Sequence, residues 1–84
     1  MKKAEIKKIQ ALDAATFLEL QQFTDWFGKD DLSTERALAR WLQTRDVMDM
    51  LNIAIDVRLP DFQEAFTIER RLSASRTKTN TIEI

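Results

Sequence analysis

The stretch Ser33–Leu59, STERALARWLQTRDVMDMLNIAIDVRL, decides the fold, because it runs for 27 residues without glycine or proline. Gly28 precedes it and Pro60 follows it, and both residue types interrupt regular structure. Its large apolar side chains recur at the spacing of a helix face. One unbroken helix of this length would measure about 40 Å, whereas a compact chain of this size has a radius of gyration of about 12 Å. We therefore expect a long central helix that either breaks internally or has its apolar stripe covered by a second chain.

The interior of this stretch contains one candidate break. Thr44–Asp46 brings together residue types that favour helix caps over helix interiors. The half after Asp46 is apolar nearly all round, which is typical of a helix with neighbours on more than one side. A bundle of three or four helices barely supplies such neighbours, so we expect dimerisation to complete the core.

The segment before this stretch predicts another helix. Apolar residues from Ile6 to Phe27 follow one another at helical spacings and trace a face that ends at Gly28. Asp13 interrupts this face, and as a helix cap it would divide the segment into two helices. At the start of the long stretch, Ser33 is the expected N-cap.

The segment after the long stretch predicts a shorter helix and a tail. Pro60 suits the first turn of a helix over Asp61–Leu72. The apolar pattern ends there, and residues 73–84 form a polar C-terminal tail that we expect to be disordered alone or ordered by a partner. The predicted fold is therefore all-α: a small helical bundle of three to four helices in one domain of residues 1–72, followed by the tail.

Composition excludes several kinds of catalytic chemistry. The sequence has no histidine and no cysteine, so the commonest general base, the thiol nucleophile and the soft metal ligands are absent. Asp30, Asp31 and Glu35 are close in sequence, but acids near a helix start already complement the helix dipole. We expect no catalytic residue, no metal site and no cofactor, and a protein that is not an enzyme.

Hydropathy and charge bear on location and partners. Charged residues interrupt every hydrophobic segment, so no membrane span is expected, and the start, Met1–Gln10, lacks the continuous apolar region of a signal peptide. A chain without cysteine suits the reducing cytoplasm. The net charge is -1, with basic ends and acidic segments between them. This overall acidity disfavours a generic nucleic-acid binder.

A row of arginines is the most informative charge pattern. Arg36 and Arg40 lie one helical turn apart and repel each other unless an anion lies opposite, and Arg45 extends the row. Acidic side chains of Ala11–Glu35, from the same or a second chain, are the expected partners. Trp41, which lies beside these arginines, suits an interface hot spot and an ordinary core position equally well.

These features favour a non-enzymatic helical protein that acts as a homodimer and binds another protein. The expected interface residues are Arg40, Trp41, Arg45, Met48, Leu51 and Ile55. The alternative is a small, antitoxin-like DNA-binding regulator that uses its basic ends. That alternative requires a strand at the amino terminus, where Ala4–Ile9 is instead spaced like a helix.

Overall fold

The computed structural model describes the backbone of residues 2–83 and the side chains of residues 2–74. It contains three helices: α1, Lys3–Phe27; α2, Leu32–Met50; and α3, Pro60–Glu83. No strand occurs within residues 2–83. The prediction of an all-α fold is confirmed, and the bundle has three helices over this range.

α1 is the helix at the centre of the structure. It packs against both α2 and α3, whereas α2 and α3 do not pack against each other over the described residues. α1 has 25 residues and α2 has 19. The stretch Ser33–Leu59 breaks internally at Met50, which is the first of the two alternatives expected from the sequence, so its length alone does not require a second chain. The expectation that this stretch forms the central helix is wrong, because the central helix is α1.

α2 ends at Met50 because the next residues form a helix-terminating turn. Asn52 adopts a left-handed conformation with φ of 54°, and its amide donates to the carbonyl oxygen of Asp49 at 3.3 Å. The amide of Ile53 donates to the carbonyl oxygen of Met48 at 2.9 Å. Together these two bonds form a Schellman motif in which asparagine takes the usual place of glycine.

The break expected at Thr44–Asp46 does not occur. The Thr44 hydroxyl donates to the carbonyl oxygen of Arg40, one turn back, at 3.0 Å, so its polar group is satisfied within the helix. Arg45 is held by Asp13 of α1. The chain leaves the helical conformation only at residues 51–59, which connect α2 to α3.

A short turn joins α1 to α2. α1 ends before Gly28, as the sequence predicts, where φ of 86° and ψ of 163° describe a conformation that is nearly exclusive to glycine. The N-cap of α2 is Asp31 and not the predicted Ser33, because the Asp31 carboxylate accepts from the Ser33 amide at 2.9 Å. The Thr34 hydroxyl donates to the carbonyl oxygen of Gly28 at 2.7 Å. This bond ties the start of α2 to the end of α1.

α3 begins at Pro60, whose fixed φ suits a first helical position. The side chains that it buries most completely are Phe62, Ala65 and Ile68. The side chains of residues 75–84 lie outside the described residues. The helix predicted over Asp61–Leu72 is longer than expected, since α3 runs to Glu83. The predicted division into a domain of residues 1–72 and a polar tail of residues 73–84 stays a prediction.

Phe17 of α1 is a contact shared by all three helices. Its ring centroid lies 5.2 Å from that of Trp41 in α2, and 5.5 Å and 5.6 Å from those of Phe62 and Phe66 in α3. Tilted and edge contacts of this kind add about 0.5–1.5 kcal/mol each beyond the burial of the rings. The cluster thus holds α2 and α3 on α1, although these two helices do not pack on each other.

Asp13 is the most unusual side chain in the core. The prediction that it caps a helix is wrong: it lies within α1, where its side chain is fully buried. Its Oδ1 accepts from Arg45 Nε at 2.6 Å and from Trp41 Nε1 at 3.2 Å, while its Oδ2 has no hydrogen-bond partner. The Arg45 guanidinium also lies 4.9 Å from the centroid of the Trp41 ring. A buried carboxylate is tolerated only with its donors in place, so Asp13 fixes α2 against α1.

Gly28→Ala should destabilise the protein by about 2 kcal/mol, because alanine adopts this backbone conformation only with strain. No non-neighbouring atom lies within 4 Å of the added methyl group, so the loss measures strain and not a clash. Urea denaturation followed by circular dichroism gives the free energy of unfolding. Lys29→Ala, at the next residue, is the control and should change this free energy by less than about 0.5 kcal/mol. Equal losses at the two positions would contradict the assignment.

Arg45→Met should lower the free energy of unfolding by about 3 kcal/mol, because it leaves the buried carboxylate of Asp13 without its charged partner. Adding Asp13→Leu should recover most of this loss, since no charge then remains in the core. Arg36→Met, at an exposed arginine of α2, is the control and should be nearly neutral. The measurement is urea denaturation at one protein concentration. A double variant that is no more stable than Arg45→Met alone would show that the ion pair does not hold α2.

Candidate interaction surface

The six residues predicted as an interface do not lie on one face. Three of them are buried or half-buried and face α1: Trp41, Arg45 and Met48. The other three are exposed: Arg40, Leu51 and Ile55. The sequence alone could not distinguish the buried residues from the exposed ones. Apolar side chains lie on nearly all sides of the chain after Asp46, and only packing decides which stripe faces α1.

Two arginines of the predicted row find their carboxylates within the chain. Arg40 forms an ion pair with Glu19, and Arg45 forms one with Asp13. Both carboxylates belong to the acidic segment that the sequence predicts as the partner, so this pairing is confirmed within one chain. Arg36 takes part in none of the ion pairs formed by the side chains of residues 2–74.

One face of the α1–α2 pair carries a row of side chains from each helix. The rows are adjacent, because Glu19 of one row pairs with Arg40 of the other. Further along, residues of both rows line an open cavity of about 240 Å³. The flank surface, as we name this face, consists of Glu5, Ile9, Leu12 and Glu19 on α1 and Arg36, Arg40, Gln43, Val47 and Met50 on α2. Within each row the residues lie three, four or seven positions apart, so each row follows one helix face.

The centre of the flank surface is apolar and exposed. Leu12 is 54 % exposed, Val47 is 41 % exposed and Met50 is 83 % exposed. Leu12, Val47 and Met50 are not among the six interface residues predicted from the sequence. Gln43, Val47 and Met50 follow one another at intervals of four and three residues. This helical spacing is the sequence signal that could have identified the row on α2.

Charged residues of opposite sign stand at the two ends of the flank surface. Glu5 lies in the first turn of α1, and Arg36 lies near the start of the antiparallel α2. Neither forms an ion pair within the described side chains. Exposed Lys2 and Lys8 lie one turn before and after Glu5. The surface therefore combines an apolar centre with charges of both signs at one end and a cation without an ion pair among the described side chains at the other.

A second apolar patch lies at the turn between α1 and α2. It consists of Trp26, Phe27 and Leu32, each more than half exposed, and we name it the aromatic tip. The Trp26 and Phe27 rings pack edge to face with centroids 6.2 Å apart. The charged residues next to the tip in sequence are Asp25, Lys29, Asp30, Asp31 and Glu35. Asp25 forms an ion pair with Arg71 of α3, and Asp31 caps α2, so charges of both signs surround the tip.

A larger open cleft of about 850 Å³ lies between the first half of α1 and the connection to α3. It is lined by Lys7, Gln10, Ala11 and residues 54–59. The Gln10 side-chain amide donates to the carbonyl oxygen of Ala54 at 2.8 Å and holds the connection on α1. A hydrogen bond from Arg58 lowers the pKa of Asp56 below its ordinary value. This exposed pair offers no free catalytic group.

The described residues contain no group of three or more His, Cys, Asp or Glu side chains that could hold a metal ion. Within the same part of the chain, no helix has the length and apolar character needed to cross a membrane. A scan against protein-family models, a search of curated proteins and a search of solved structures each found no match.

Proposed function

We propose that the protein is a non-enzymatic helical interaction protein that acts as a homodimer, with the flank surface as its interface. The observation that carries this proposal is the exposure of Leu12, Val47 and Met50 around an open cavity. Single exposed apolar residues are ordinary, but a continuous apolar patch is typical of an interaction site. The lack of cysteine in the sequence supports a cytoplasmic setting.

The small core also supports association. Three of the seven buried apolar residues recorded for the described part of the chain are alanines, which contribute little apolar area. A chain of this length buries only somewhat over 60 % of the surface that its unfolded form exposes. Apolar area removed from water contributes about 25 cal/mol per Å². A second chain that covers the flank surface would therefore add buried apolar area to the small core of a single chain.

The charge pattern favours a second copy of the chain as the occupant of the flank surface. A two-fold contact brings the same patch together with itself, so the patch must carry both signs of charge. The flank surface does so through Glu5 and Arg36, neither of which forms an ion pair with the side chains of residues 2–74.

The DNA-binding alternative has less support. The strand that it requires at the amino terminus would include Ala4–Ile9, and these residues lie in α1. The basic residues Lys2, Lys3, Lys7 and Lys8 are exposed, but the acidic total charge of the chain opposes a broad attraction to phosphates. We therefore develop the homodimer proposal alone.

Met50→Lys should convert the dimer to a monomer, because it places two like charges at the apolar centre of the two-fold contact. Met50 ends α2 and is largely exposed, and a lysine at a helix C-terminus complements the helix dipole. The fold of one chain should therefore be preserved. Sedimentation equilibrium over a concentration series gives the molecular mass, and circular dichroism checks the helix content.

Leu32→Glu is the matched control for this variant. Leu32 is 59 % exposed at the aromatic tip, and glutamate at the start of α2 also suits the helix dipole. This variant should remain a dimer with an unchanged dissociation constant. The proposal would be overturned by a wild-type protein that stays monomeric at about 100 μM, because its association would then be weaker than about −5.5 kcal/mol. A dimer that survives Met50→Lys and is lost with Leu32→Glu would also overturn it.

A further inference from the structure

We draw no further inference here: the strongest candidate, the open cleft between the first half of α1 and the connection at residues 54–59, carries none, because Arg58 on its wall is already paired with Asp56 and nothing in the structure shows what occupies it.

Discussion

The buried carboxylate of Asp13 is the constraint on which the rest of the structure depends. It lies within α1 without exposed surface, and its two donors, Arg45 and Trp41, both come from α2. A shift of α2 by one residue would remove both donors from a charge that cannot reach water. The pair adds little net stability relative to apolar side chains, but breaking it is costly. The buried ion pair therefore restricts α2 to one register on α1.

The register of α2 on α1 decides which faces of α2 remain exposed. The inner stripe of α2 consists of buried and half-buried residues, including Ala37, Trp41 and Met48. The neighbouring stripe of α2, which contains Val47 and Met50, then lies at the edge of the contact with α1 and remains exposed. Because α3 packs on α1 and not on α2, no element of the described structure covers that stripe. The exposed apolar row thus follows from the same contact that positions the helix.

The sequence predicts the elements better than it predicts their faces. Gly28 and Pro60 act locally, through backbone conformations that their side chains dictate, so their effects were predictable. Asn52 also acts locally, but asparagine adopts many conformations, and its role as a helix terminator becomes evident only with the hydrogen bonds around it. Asp13 could not be recognised as a core residue, because its burial depends on Arg45, which is 32 positions away. The division of the six predicted interface residues into buried and exposed ones could not be predicted for the same reason, because it depends on this distant pair.

Association and folding of this chain should be coupled. The α1–α2 contact contains a buried charge whose Oδ2 has no partner, and the open cavity lies beside it, lined by Ile9 and Leu12 on α1 and by Thr44 on α2. In the proposed homodimer, a second copy that covers this cavity would exclude water from the edge of the ion pair and so raise the cost of breaking that pair. Dimerisation would then favour the register set by Asp13 as well as add apolar burial. By mass action, the stability of each chain would rise with protein concentration.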